Sequence, residues 1–99
     1  MSQTKKLPPI HPGEVLRTVL DDAHVSANRA ALLMRIPSNR LTAILNGRRS
    51  ITADTALRLA RLFGTSAEMW FNLQFRFDLE MAEDELAEQV RKEVAPLVA

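Results

Sequence analysis

Within the run 38–42 the chain carries four polar side chains of the types that contact the edges of DNA bases. An arginine can form two hydrogen bonds with guanine O6 and N7, and an asparagine can form two with adenine N6 and N7. A threonine methyl group can contact the methyl group of thymine. The candidate base-contacting residues are Ser38, Asn39, Arg40 and Thr42.

Polar and basic residues on both sides of this run have the chemistry to bind phosphate. Two of them precede the run and two follow it. Side-chain donors of this kind hold a protein in register on the DNA backbone without selecting a sequence. The candidate phosphate-binding residues are Asn28, Arg29, Arg48 and Arg49.

Helices must position these residues, because the pattern of apolar and capping residues predicts an all-α chain. Apolar residues repeat at helical spacing, and no apolar–polar alternation persists long enough to indicate a strand. Pro12 suits the first position of a helix, and Ser26 and Thr52 suit N-caps. The predicted helices are 12–23, one that follows Ser26 and precedes Arg35, 38–45, one between Thr52 and Gly64, and 67–95.

The second and third predicted helices are short and separated by about three residues, which is the arrangement of a helix-turn-helix. Arg35 stands at the turn, where the backbone is expected to be left-handed and where a residue other than glycine costs about 1 kcal/mol. An ordinary helical hairpin in a bundle is the alternative at this point. Small or apolar residues fill the positions where two such helices would touch: Ala30, Ala31, Met34, Ile36, Leu41 and Ile44.

The formal net charge of +1 conceals an uneven distribution along the chain. Residues 1–65 carry ten basic and four acidic side chains, for a net charge of +6. Residues 66–99 carry three basic and eight acidic side chains, for a net charge of −5. A basic N-terminal part suits DNA phosphates, and an acidic C-terminal part suits either a basic protein partner or a solvent-exposed helix face.

The fifth predicted helix is too long for a compact chain of this size. Its 29 residues would extend about 43 Å at 1.5 Å per residue. Beyond an aromatic-rich start, apolar residues continue at steps of three or four positions and need a surface to cover them. We expect this stripe to pair with a second copy of the chain, and a helix bent back over its own core is the alternative. The candidate dimerisation residues are Trp70, Leu79, Leu86 and Val90.

The same patterns suggest how the chain is organised and which functions it lacks. We expect an N-terminal arm (1–10), a helix-turn-helix domain (11–80) and a C-terminal extension (81–99) that continues the helix of 67–80. The chain has no cysteine and no glycine-rich phosphate loop, and its two histidines suit a helix cap and a loop. We therefore expect no enzyme activity, no metal and no cofactor. The longest apolar run is about six residues, far below the roughly 20 that cross a bilayer, so we expect a cytoplasmic protein without a membrane partner.

Three ordered blocks of the sequence are typical of one family. They are IHPGEVL at 10–16, NGRRSITADTALRLA at 46–60, and FGTS at 63–66 followed by Trp70, NLQ at 72–74 and Asp78-Leu79. Over residues 10 to about 83 the chain resembles the HigA/VapI family of antitoxins, which are XRE-type helix-turn-helix proteins. Arg35 at the turn departs from the usual pattern, and the family gives little guidance after Glu83.

This resemblance implies a fold, a function and partners. The fold would be a five-helix, phage-repressor-like helix-turn-helix domain with an extended C-terminal helix. The function would be that of an antitoxin which represses its own operon and neutralises a small basic HigB toxin, a RelE-like mRNA endonuclease. The partners would be double-stranded DNA with a palindromic operator, the toxin and a second copy of the chain. By position, base contacts would come from residues 38, 39, 40 and 42, and backbone contacts from Arg48 and Arg49.

Two other functions remain open from the sequence. The nearer one is a stand-alone helix-turn-helix repressor without a toxin partner. The other is a protein-interaction bundle that has lost DNA binding. A reading frame for a small basic protein beside the gene would favour the antitoxin over the lone repressor.

Overall fold

The computed structural model describes residues 7–98 and shows five α-helices and no β-strand in that range. The predicted all-α fold class is confirmed. Of the predicted N-terminal arm, residues 1–6 lie outside the described range, and residues 7–10 have no regular secondary structure. Ala99, at the end of the predicted extension, also lies outside it. The helices are α1 (Pro12–Ala23), α2 (Ala27–Met34), α3 (Ser38–Leu45), α4 (Ala53–Phe63) and α5 (Ala67–Glu93).

Side-chain caps define where most of these helices begin. Ser26 Oγ accepts a hydrogen bond at 3.1 Å, Thr52 Oγ1 at 3.3 Å and Ser66 Oγ at 3.0 Å, each from the backbone N–H three residues later. Such a bond satisfies an N–H group that has no partner within the helix. The starts of α2 and α4 predicted from Ser26 and Thr52 are therefore confirmed.

The predicted end of α5 at Ala95 is wrong by two residues. The helix ends at Glu93, and Val94 has an extended backbone with φ −119° and ψ 112°. Pro96 explains the early end, because the ring of a proline disfavours the helical conformation of the residue before it. Ala95 therefore leaves the helix, and the last turn ends before it.

The core lies where the first four helices meet the start of α5. α3 packs on α1 and α2, α2 packs on α4, and α5 packs on α4 and α1. Every residue predicted at the contact between α2 and α3 is buried, so this part of the prediction is confirmed. The buried core consists of Leu16, Leu20, Ala30, Ala31, Met34, Ile36, Leu41, Ile44, Ile51, Ala56, Leu59 and Trp70.

The start of α1 and the end of α3 approach each other closely at Gly13. A Cβ atom at this position would lie 2.0 Å from the backbone oxygen of Ile44 and 3.1 Å from Nδ1 of His11. Contacts this short to a backbone atom do not occur, so the helices would have to separate to admit any side chain. Glycine at position 13 therefore fixes how α3 sits on α1.

The second half of α5 projects from the rest of the molecule. The helix is continuous over 27 residues, and every described residue from Glu83 onward is exposed. The molecule measures 52 × 31 × 23 Å, and its radius of gyration of 16.9 Å exceeds the roughly 13 Å of a compact chain of this length. The alternative of a helix bent back over the core is therefore wrong. No helix within residues 7–98 combines the length and apolar character needed to cross a membrane.

Candidate nucleic-acid interface

The turn between α2 and α3 has the left-handed backbone that the sequence predicted at Arg35. This residue has φ 58° and ψ 45°. Its N–H donates to the Leu32 carbonyl at 3.2 Å, and the N–H of Ile36 donates to the Ala31 carbonyl at 3.1 Å. These two bonds form a Schellman motif, which satisfies the free carbonyls at the end of α2. The chain therefore makes the sharp helix-turn-helix bend without glycine.

α3 has one buried side and one exposed side. Leu41 and Ile44 are fully buried against the other helices. Ser38, Asn39 and Thr42 are exposed, and their spacing of three and four residues places them on one face of the helix. Three of the four candidate base-contacting side chains therefore form a polar surface on α3 that is free to enter a groove.

The first turn of α2 lies beside the first turn of α3. Asn28 and Ser38 line the same surface groove, together with Leu32 and Ile36. Arg29 is also exposed. The structure thus brings Asn28 next to the base-contacting surface, although most of α2 and a turn separate the two in sequence.

Arg48 and Arg49 lie in an ordered turn at the other end of α3. Gly47 has a positive φ of 73°, its N–H donates to the Ile44 carbonyl at 3.0 Å, and the N–H of Arg48 donates to the Ala43 carbonyl at 2.8 Å. This Schellman motif directs the chain away from the helix. Both arginines are exposed, so phosphate-binding candidates flank α3 on both sides.

Arg40 differs from the other base-contacting candidates, because its side chain turns toward α4. Its NH1 atom donates to Asp54 Oδ2 at 3.0 Å, and only 26% of the side chain is exposed. Arg58 also donates to Asp54, through Nε to both carboxylate oxygens at 3.1 Å. The hydrogen bond of Arg58 is the main cause that lowers the pKa of Asp54, so its carboxylate is ionised at neutral pH.

Sequence reasoning missed two contacts, one that holds the end of α3 on α1 and one that holds Ile51, just before α4, on α5. Arg17 of α1 donates to the carbonyl of Leu45 at 3.2 Å and to Asn46 Oδ1 at 3.4 Å, where a positive charge suits the helix C-terminus. Gln74 of α5 accepts from the N–H of Ile51 at 2.7 Å and is 4% exposed. Each contact joins residues more than 20 positions apart, and the local patterns used for prediction do not show such pairs.

His11 joins the start of α1 to the turn that carries the arginines. As predicted, it is a helix cap: Nδ1 accepts from the N–H of Gly13 at 2.9 Å, while Glu14 accepts from the N–H of His11. The imidazole also packs edge-on against Phe77, with ring centroids 4.8 Å apart, and lies next to Gly47 in that turn. Burial lowers the pKa of His11, although nearby carboxylates oppose this effect.

The predicted dimerisation role of Trp70 is wrong, because its side chain is fully buried in the protomer. The indole Nε1 donates to Thr65 Oγ1 at 2.8 Å and thereby satisfies the polar atom of the ring inside the core. No surface of Trp70 is left for a second chain.

The remaining candidate dimerisation residues are exposed on α5, as the stripe predicted. Leu79 is 46% exposed, Leu86 47% and Val90 51%. Phe71 and Phe75, which precede them at steps of four residues, are exposed as well. We call the residues Phe71, Phe75, Leu79, Leu86 and Val90 the apolar face of α5.

Comparison with known proteins places this arrangement in a family. A helix-turn-helix family model matches residues 16–70, more than half of the chain. Virulence-associated protein I of Dichelobacter nodosus is 44% identical over 81 residues, which cover 81% of this chain and 75% of that protein. A solved addiction module antidote protein of the HigA family from Coxiella burnetii is 53% identical, with a TM-score of 0.85, and covers 91% of this chain and 99% of its own. The chain belongs to the HigA/VapI family.

The resemblance and the phage-repressor-like helix-turn-helix fold predicted from the sequence are therefore confirmed. Another HigA/VapI relative, the Pseudomonas aeruginosa antitoxin HigA, has been solved with the higBA promoter. It is 37% identical, with a TM-score of 0.88, and the match covers 91% of this chain and 99% of the relative. Family members thus share this fold over almost their whole length.

Proposed function

We propose that this chain is a HigA-type antitoxin that represses its own operon as a dimer and neutralises a small basic toxin of the RelE-like mRNA endonuclease class. The observation that supports this best is the exposed polar face of α3, with arginines at both sides, on the fold of a relative solved with its promoter.

In the proposed complex, α3 enters the major groove and its neighbours bind the backbone. Base contacts come from Ser38, Asn39, Arg40 and Thr42, and Arg40 must leave Asp54 to take part. Phosphate contacts come from Asn28, Arg29, Arg48 and Arg49. The net charge of +6 on residues 1–65 supports this assignment, because phosphate binding with release of counterions supplies much of the affinity.

Dimerisation through the apolar face of α5 would match the symmetry of a palindromic operator. Two-fold dimers of helix-turn-helix proteins place their recognition helices about 34 Å apart, which is one turn of DNA. The apolar face of α5 is exposed to water in the single chain, which is unfavourable. The identical face of a second copy can bury it.

Toxin binding is supported by the acidic C-terminal part and by the family. Residues 66–99 have a net charge of −5, which complements a basic protein. The test is to look beside the gene for a reading frame that encodes a small basic protein and to co-express that protein with this chain. We expect that protein alone to arrest translation and growth, and co-expression of this chain to restore growth.

A matched control separates toxin neutralisation from repression. The double variant Asn39→Ala/Arg48→Ala is expected to lose operator binding in a mobility-shift assay while it still restores growth, when both proteins are expressed from unrelated promoters. If the wild-type chain binds the operator but no neighbouring basic protein is toxic, the chain is a stand-alone repressor.

A further inference from the structure

Asp54 connects three helices around the candidate base-contacting arginine. It is the second residue of α4, and its carboxylate accepts from Arg40 of α3 and from Arg58 of α4. Arg58 also donates from NH1 to the carbonyl of Met34, the last residue of α2, at 3.0 Å. The ends of α2, α3 and α4 are therefore held together by one carboxylate and two guanidinium groups.

Asp54 does not depend on Arg40 for its position. Arg58 Nε is 3.1 Å from each carboxylate oxygen and lies one helical turn along α4, where an ion pair of this spacing is stable. If Arg40 left, Asp54 would keep its counter-ion and its place. Arg40 is therefore the partner that can leave Asp54 and bind another group.

Arg40 uses little of its hydrogen-bonding capacity in this arrangement. A guanidinium group has five N–H donors, and the one contact that the described residues give it is the bond from NH1 to Asp54. Its buried Nε has no hydrogen-bond partner among residues 7–98. The DNA-free position therefore pairs the charge of Arg40 but leaves its buried Nε without an acceptor among residues 7–98, so a ligand with two aligned acceptors can compete for the side chain.

We propose that Asp54 is a specificity-determining residue, which holds Arg40 away from DNA until a base with two acceptors displaces it. The inference rests on the proposed function. A phosphate also has two acceptor oxygens, but it would only replace one ion pair of Arg40 by another. It would in addition leave Asp54 facing the negatively charged backbone, so the exchange gains little. Guanine offers O6 and N7 to two guanidinium donors at once, which the carboxylate contact does not match. Asp54 therefore suppresses binding to DNA that lacks the correct base.

The test uses Asp54→Asn, which keeps the shape of the side chain and removes its charge. Asp22→Asn is the matched control, because it removes the same charge from an exposed residue of α1. The cognate probe is a duplex selected from a random pool by the wild-type protein, and the non-cognate probe is a scrambled duplex of the same composition. Binding is measured by fluorescence anisotropy over a series of salt concentrations.

We expect Asp54→Asn to bind the scrambled duplex about threefold to tenfold more tightly than Asp22→Asn does. Its salt slope on that duplex should be steeper by about one unit, because Arg40 gains a phosphate contact. The ratio of cognate to non-cognate affinity should fall by about the same factor. In an Arg40→Ala background, Asp54→Asn should have no effect beyond that of Asp22→Asn, because the competing arginine is gone.

Equal behaviour of Asp54→Asn and Asp22→Asn, or an undiminished effect in the Arg40→Ala background, would overturn the inference. If the wild-type protein selects no sequence from the pool, the proposed DNA-binding function fails instead. If Asp54→Asn does not fold, NMR spectroscopy of the wild-type protein provides a second test. The guanidinium nitrogen resonances of Arg40 should be unchanged by the scrambled duplex and shifted by the cognate duplex, and equal shifts with both would contradict the proposal.

Discussion

Asn39 and Arg48 are exposed at opposite ends of α3, and they are expected to act on DNA in different ways. Asn39 has a side chain that can pair with the edge of one base, whereas Arg48 carries a charge that any phosphate can accept. The exposed position of both residues allows each contact. Substitution of each residue by alanine should therefore affect different properties of the complex.

We expect Asn39→Ala to weaken binding to the selected operator by about 1–3 kcal/mol and to leave binding to scrambled DNA unchanged. We expect Arg48→Ala to weaken both by a similar factor and to flatten the salt slope by about one unit. Fluorescence anisotropy at several salt concentrations measures both effects. A change of base preference in Arg48→Ala would contradict its phosphate role, and equal losses on both duplexes would contradict the role of Asn39.

His11 makes the free energy of unfolding depend on pH, and its lowered pKa determines the direction of the change. Its folded pKa is lowered from 6.5 by burial, so the unfolded chain binds more protons in the range below 6.5. The free energy of unfolding should therefore fall as the pH drops through 6.5 toward the lowered value. Protonation of Nδ1 would also remove the acceptor that caps α1.

The variant His11→Asn provides the test, because asparagine keeps a capping acceptor and does not titrate. Urea unfolding at about pH 7.5 and about pH 5.5 should show a larger loss of stability for the wild-type protein than for the variant. The exposed His24 remains in both proteins and serves as an internal control. Equal losses in the two proteins would show that His11 does not cause the dependence.

At the scale of helices, the sequence predicted contacts between residues that are close in sequence and missed contacts between residues that are distant in sequence. The starts at Ser26 and Thr52 could be predicted because a cap and the N–H it satisfies are three residues apart. The bond of Arg17 to Leu45 spans 28 residues and could not, because nothing at either position indicates the other. The ion pair of Arg40 with Asp54 likewise depends on how the fold brings the start of α4 close to the start of α3.

The error at Trp70 has a related cause. Aromatic and apolar residues occur on several sides of α5 between Met69 and Phe77, so their spacing does not show which side faces the core. Packing of α5 against α4 and α1 selects Trp70 as the buried aromatic residue and leaves Phe71 and Phe75 exposed. Leu79, Leu86 and Val90 are exposed as expected, and their role in dimerisation stays a prediction.

Gly13→Ala tests the close packing of α1 on α3. In an unhindered helix this change would stabilise the protein by about 1 kcal/mol. Here the new methyl group would meet the Ile44 carbonyl oxygen, so we expect a loss of about 1–3 kcal/mol in urea unfolding. Gly64→Ala is the control, because its Cβ has no neighbour within 4 Å and only the left-handed backbone is unfavourable, at about 1 kcal/mol. A stabilised Gly13→Ala variant would contradict the close approach.

At the scale of the whole molecule, basic side chains outnumber acidic ones among residues 7–65, and acidic side chains outnumber basic ones among residues 66–98. The basic part carries α3 and its flanking arginines on the globular region, and much of the acidic part lies on the projecting half of α5. DNA and a basic protein could therefore approach different ends of the same molecule. The apolar face of α5 lies on the acidic part.

We expect the wild-type chain to be a dimer by light scattering at micromolar concentration, with twice the mass of 11.1 kDa. The variant Leu79→Glu/Leu86→Glu should be a monomer, because each buried leucine contributes about 1.5–3 kcal/mol and the added charges repel across a two-fold axis. Leu32→Glu, on an exposed leucine of α2, should remain a dimer. A monomeric wild-type protein would refute dimerisation, and a dimeric double variant would place the interface elsewhere.

The continuity of α5 has a consequence for the DNA that such a dimer could accept. Trp70 and Gln74 anchor one end of this helix in the core, and no break occurs before Glu93. A dimer paired along α5 would have no hinge between its symmetry axis and its two recognition helices. The distance between the two recognition helices would then be fixed. An operator with half-sites moved apart by half a helical turn of DNA would therefore bind only one protomer at a time.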